Sequence, residues 1–158
     1  MSLLVGKKAP HFSAAAVING EEIVENFSLD QYLGKNHVVL FFYPKDNTPG
    51  CTAEACSFRD QFEDFKDLGA EIIGISSDSV LSHQKFAKQY RLPFILLSDE
   101  DKKIRNLFGV PAGLFGLIPG RVTYVVDKNG IIKLIFNSSL MATKHISKAL
   151  EVIKELAK

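Results

Sequence analysis

The chain has 158 residues, 46% of them hydrophobic and 23% charged, with a formal net charge of +1. That length supports one domain with a sizeable core. The balanced charge, with no long run of one sign, argues against nucleic-acid or membrane-surface binding, which usually needs a basic patch. The longest apolar stretches are only of strand length, so none reads as crossing a bilayer, and Met1–Lys8 contains no apolar signal-peptide core.

Along the chain, Phe12 to Ile18 and Glu22 to Phe27 flank Asn19-Gly20 and read as a hairpin. Ser28 to Leu33 suggests one helical turn closed by Gly34, and His37 to Tyr43 a buried strand. From Thr52 to Leu68, Ala55, Phe58, Phe62 and Phe65 recur at spacings of three and four, which predicts a helix that Gly69 stops. Ala70 to Ser76 is a second buried strand, Ser79 to Tyr90 a helix, Phe94 to Leu97 a short strand and Asp101 to Phe108 a helix. Val122 to Val126 and Ile131 to Phe136 flank the turn signal Asp127-Lys128-Asn129-Gly130 and read as an antiparallel hairpin. Thr143 to Ala157 is a final helix with Ile146, Leu150, Ile153 and Leu156 on one face. The core order β-α-β-α, then β-β-α, predicts an α/β fold of thioredoxin-like arrangement: a single domain over residues 1–158, with a mixed central sheet, helices on both faces and an N-terminal β-hairpin.

The chemistry concentrates between the first buried strand and the following helix. The only two cysteines, Cys51 and Cys56, follow Pro44-Lys45-Asp46-Asn47-Thr48-Pro49-Gly50. A thiol in the first turn of a helix meets unpaired N–H groups and a partial positive charge, which favour thiolate over thiol. Pro44 ends the strand and stiffens the loop. Thr48 is placed to cap the helix or to turn its hydroxyl toward Cys51. Pro49 suits the first helical position, and Gly50 lets a substrate approach the backbone. A cysteine pair in such a protein is often just two buried, inert side chains, but proline, threonine and glycine ahead of this pair weigh against that. His11, His37, His83 and His145 are scattered and lack zinc-ligand spacing, so no metal site is expected. Two cysteines are too few to staple a fold. The expected setting is therefore a reducing compartment with active thiols: the cytoplasm, or the plastid stroma if a transit peptide has been removed.

The run from Pro44 to Asp60 resembles the active-site segment of peroxiredoxins of the Q type, also called bacterioferritin comigratory proteins. The resemblance continues through Leu97-Ser98-Asp99-Glu100 and Pro119 to Asp127. Gly6 to Tyr43 looks closer to the typical two-cysteine branch of the same superfamily. That branch carries its resolving cysteine near the C-terminus, where this chain has none. The resemblance implies a thiol-dependent peroxidase acting on hydrogen peroxide and organic hydroperoxides. Cys51 would be the peroxidatic residue, oxidised to a sulfenic acid, and Cys56 would resolve it as an intramolecular disulfide. Thr48 would hydrogen-bond the peroxide. Arg121 would return from a distant strand to stabilise the thiolate and the charge on the leaving oxygen. Glu54 would orient that arginine, and Pro44 would shape the pocket. Thioredoxin is the implied reductant, with a glutaredoxin as the alternative. No cofactor is required.

Five residues along an intact helix rise about 7.5 Å and turn about 500°, which leaves the two Cα atoms roughly 8–9 Å apart. A disulfide needs less than about 7 Å and converging Cβ vectors. If Cys56 resolves Cys51, the first turns of the helix must therefore unwind. Both cysteines lie in one chain, so a monomer is expected. Two other readings compete. A thiol-disulfide oxidoreductase normally has two residues between its cysteines, whereas this chain has four. A peroxide-responsive redox sensor would use the same thiol pair without turnover.

Overall fold

In a computed structural model, the structure describes residues 3–113, 118–138 and 141–158. The elements in order are β1 (Ser13–Ile18), β2 (Glu22–Ser28), a 3-10 turn (Leu29–Tyr32), β3 (His37–Phe42), α1 (Pro49–Asp60), α2 (Phe62–Asp67), β4 (Ala70–Ser76), α3 (Val80–Tyr90), β5 (Ile95–Ser98), α4 (Lys103–Phe108), β6 (Ala112–Gly113), β7 (Ile118–Pro119), β8 (Val122–Val126), β9 (Ile132–Asn137) and α5 (Lys144–Leu156).

Seven strands form one mixed sheet in the order β2-β1-β5-β4-β3-β8-β9. β3, β4 and β5 are parallel neighbours, and β8 runs antiparallel beside β3 with Phe42 opposite Val122. The N-terminal hairpin extends the far edge by pairing β1 antiparallel to β5. Its tip holds Asn19 and Gly20 at φ 54° and 74°, the left-handed values that a tight hairpin asks of asparagine and glycine.

β3 is buried on both faces, as a central strand bordered by helices must be. Its side chains alternate between two cores. Val39, Phe41 and Tyr43 pack with Cys51, Ala55 and Phe58 of α1, Phe65 of α2, Phe86 of α3 and Ile146 and Ile153 of α5. Val38, Leu40 and Phe42 pack on the other face with Ile104 and Phe108 of α4 and with Leu29 and Tyr32 of the 3-10 turn. The peroxidatic candidate thus belongs to a core that four helices cover. The strand ends carrying Tyr43 and Arg121 lie at one edge of that core.

Most boundaries shift by a residue or so, and three features depart further from the sequence reading. The helix expected over Thr52 to Leu68 begins earlier, at Pro49, and is broken at Gln61, whose φ −108°, ψ 13° is not helical. Proline fits the first position because its φ is preset and its missing N–H has no partner there. The break leaves Phe58 and Phe65 both fully buried in the same core, so the apolar spacing runs through it without a mark. The helix expected from Asp101 starts at Lys103, because the Asp99 carboxylate accepts from the N–H groups of Ile104 and Arg105, each at 2.9 Å. The pair β6–β7 was not expected; strands of two residues are too short to show a period.

Candidate active site

Cys51 is the third residue of α1, after Pro49 and Gly50, and is 1% exposed. Cys56 lies further along the same helix and is half-buried; both thiols are free. Thr48 stands at the N-cap position, as the sequence suggested, but its hydroxyl does not cap. It donates to the carbonyl of Lys45 at 2.8 Å, a local side-chain-to-backbone bond that competes with capping. The first helical bond runs from the Thr52 N–H to the Thr48 carbonyl. Among the described residues, the N–H groups of Gly50 and Cys51 have no partner, so the positive end of the helix is open beside the sulfur.

Arg121 immediately precedes β8 and is 5% exposed. It donates from Nη1 to Oε1 of Glu54 at 2.6 Å and from Nη2 to Sγ of Cys51 at 3.4 Å. One planar guanidinium therefore joins two residues one helical turn apart, and β8 holds it against β3. Gly50 serves this contact directly. A Cβ there would lie 3.1 Å from Nη2 of Arg121, so the glycine first makes room for the arginine. Pro44, half-buried, follows Tyr43 where the chain leaves β3.

Behind the Arg121–Glu54 pair lies a second buried layer. Nε2 of His145 bonds the Ser138 carbonyl at 2.8 Å, so that nitrogen carries the proton. Nδ1 is then an acceptor, and the Thr123 hydroxyl donates to it at 2.7 Å. The same Nδ1 lies 3.6 Å from Oε2 of Glu54, an oxygen with no hydrogen-bond partner. Burial pushes the Glu54 carboxyl up to about 8, against the pull of Arg121. For Arg121 the balance is reversed. Burial alone would lower it, but the negative charges of Glu54 and Cys51 outweigh burial and raise it. Burial, helped by the Arg121 charge and opposed by the Ser138 bond, pushes His145 down to about 4 and keeps it neutral.

Sequence reasoning missed Thr123 and His145, and also Asp46, Ser82 and His83, which form a buried cluster under the loop before Thr48. The four histidines are scattered along the sequence. Yet His83 meets Asp46 and Asp78 with ligand atoms within 4.8 Å of one another. Each of those three residues is already engaged in hydrogen bonds. The partners of Asp46 lie up to 37 residues away, beyond any local spacing rule.

The AhpC/TSA family matches residues 5–135. A chloroplastic peroxiredoxin Q of Sedum lineare is 54% identical over 129 residues, covering 82% of this chain and 69% of that protein. The chain belongs to the AhpC/TSA family, in its peroxiredoxin Q branch. This peroxiredoxin is thereby an enzyme of the thiol-dependent peroxidase class. Its fold is shared with the peroxidoxin BcpB of Mycobacterium tuberculosis, at a TM-score of 0.84 and 34% identity over 96% of this chain and 97% of that one. It is shared as well with a peroxiredoxin Q of Xanthomonas campestris, at 0.78 and 29% identity over 91% of both. The chain spans 59% to 69% of the length of the curated plant relatives it matches. Among the described residues no helix is long and apolar enough to cross a membrane.

The buried carboxyl makes stability pH-dependent in a definite direction. Because its pKa is raised on folding, Glu54 stabilises the fold fully below the ordinary carboxylate range and loses that contribution as pH rises to about 8. His145, lowered from 6.5 to about 4, has the opposite slope below 6.5 and none above it. Denaturant unfolding should therefore show stability falling between pH 6.5 and about 8 in the wild type. In Glu54→Gln that fall should be reduced, and an identical profile would contradict the burial argument.

Proposed function

We propose that this peroxiredoxin reduces hydrogen peroxide and small organic hydroperoxides through Cys51, with Cys56 as the resolving thiol. The observation that carries the reading is the Arg121 guanidinium, anchored by Glu54 and set 3.4 Å from Cys51 Sγ at the open N-terminus of α1. A fixed cation and free N–H groups there stabilise charge that develops as the O–O bond breaks. The Cys51 thiolate attacks one peroxide oxygen, an S–O bond forms, and the O–O bond breaks. The leaving alkoxide or hydroxide takes up a proton, and the sulfur is left as a sulfenic acid. Thr48, at the N-cap position of the same helix, would offer its hydroxyl oxygen as an acceptor while donating to Lys45, and Pro44 would narrow the pocket.

In the second step the Cys56 sulfur attacks Sγ of the sulfenic acid, a disulfide forms and water leaves. Both cysteines lie on one unbroken helix, Pro49–Asp60, so this step requires the first turns of α1 to unwind. A dithiol protein of the thioredoxin type then reduces the disulfide and is itself oxidised; a glutaredoxin is the alternative. Both reacting thiols belong to one chain, which supports catalysis by a monomer, and the two cores share one sheet, which supports a single domain. The chloroplastic plant relatives favour the plastid stroma over the cytoplasm.

Two measurements test this. Reduced protein mixed with limiting peroxide should lose one thiol rapidly. That reaction should vanish in Cys51→Ser, while Cys56→Ser should keep the fast step and accumulate a trappable sulfenic acid. Fast consumption without Cys51 would overturn the assignment. Separately, amide hydrogen exchange over residues 49–56 should be slow in the reduced protein and fast in the disulfide form. Equal protection in the two forms would contradict the unwinding step.

A further inference from the structure

The loop that carries Thr48 into α1 is held by residues outside the machinery described so far. Asp46 is 5% exposed and sits midway along it. The Tyr43 hydroxyl donates to its Oδ1 at 2.6 Å, and the Ser82 hydroxyl to its Oδ2 at 2.8 Å. Nδ1 of His83, a fully buried residue, meets the same Oδ2 at 2.8 Å. The other ring nitrogen of His83 meets the Leu97 carbonyl at 2.9 Å. Both sides of the ring thus face acceptors, and the two bonds require a proton on each nitrogen, or one on the ring and one on the carboxyl. The Asp46 N–H donates to Oδ2 of Asp78 at 2.8 Å, and the Ser76 hydroxyl donates to that oxygen at 2.6 Å. The loop is therefore fastened to β4, α3 and β5, none of which carries a reacting group.

Two features show that the loop's shape needs holding. Asn47 has φ 62°, a left-handed conformation that asparagine tolerates better than most residues but that still depends on its surroundings to persist. The Thr48 hydroxyl closes back on Lys45, with Asp46 enclosed between them. We propose that Asp46 is a positioning residue for the peroxide step. Gripped by Tyr43, Ser82 and His83, it fixes Pro44–Thr48, and with them the place of the Thr48 hydroxyl oxygen and the start of α1, where the N–H groups of Gly50 and Cys51 are free. It acts through the loop and touches neither the sulfur nor the peroxide. The inference rests on the peroxidase reading above.

The test compares two electrophiles in the full chain carrying Cys56→Ser, so that a single thiol reports. Hydrogen peroxide needs the arranged donors, whereas iodoacetamide needs only a charged, reachable sulfur. In Asp46→Ala, the peroxide rate should fall by about tenfold to 10²-fold, the scale of an ångström-sized misplacement, while alkylation stays within about threefold. Asp46→Asn should lie between, because its amide still accepts from Tyr43 and can donate to Nδ1 of His83. If Asp46→Ala does not fold, the pair Tyr43→Phe and Ser82→Ala removes two donors, leaves the carboxylate and should lower the same ratio. A folded variant with an unchanged ratio, or with both rates falling together, would overturn the proposal. A parent protein that reacts with peroxide no faster than a free thiol would instead overturn the peroxidase reading, and the positioning role with it.

Discussion

The Arg121 guanidinium bonds two groups on one helix, the Glu54 carboxyl and the Cys51 sulfur, and much of the architecture serves that contact. β8 must pair with β3 for Arg121 to arrive at the right height. Gly50 must lack a side chain for the guanidinium to cross the helix N-terminus. α5 must pack against the sheet so that His145 and Thr123 close the space behind Glu54. Arg105 adds a further tie, donating to the carbonyls of Tyr43 and Gly120 and so linking the strand ends that lead to Pro44 and Arg121. A buried cation is costly unless paired. Here it is paired on one side with a carboxyl and on the other with the atom whose charge it serves.

The same contact sets what the proposed cycle costs. Cys51, Glu54 and Ala55 are all buried in the first turns of α1, so unwinding that segment gives up core packing and the Arg121 bond together. The second half of the helix is better anchored. Phe58 stacks on Phe41 with ring centroids 4.5 Å apart and touches Phe65 of α2 at 5.8 Å. The break at Gln61 separates α1 from α2. Unwinding can therefore stay local, bounded by the Asp46 cluster before the helix and by Phe58 within it. In the proposed cycle, reactivity and resolution would thus draw on opposite states of one helix: intact for the peroxide, open for the second thiol.

Most of the architecture was legible because it rests on local patterns. Central strands buried on both faces read as continuous apolar runs. The hairpins announced themselves through Asn19-Gly20 and Asn129-Gly130, and α5 through its single apolar face. Positions decided by a side chain's choice of partner were not legible. Thr48 could bond forward to the helix or back to Lys45, and the sequence does not say which. The start of α4 moved because Asp99 reaches two N–H groups. Within the site, Cys51 follows from its place at a helix start behind proline, threonine and glycine, whereas Arg121 and Glu54 came only from the family resemblance; the geometry brings the three together. The Asp46–His83 and Thr123–His145 pairs were invisible, since each joins residues far apart in sequence that share no spacing.

The central claim is that a bidentate cation, and not positive charge alone, prepares Cys51. Arg121→Lys tests it most directly, because an ammonium keeps the charge but cannot span Glu54 and Cys51 as a planar fork. The rate of Cys51 oxidation by hydrogen peroxide in the folded variant is predicted to fall by about 10²-fold, as for the loss of one oriented donor at a developing oxyanion. A folded Arg121→Lys protein oxidised at the wild-type rate would contradict the account.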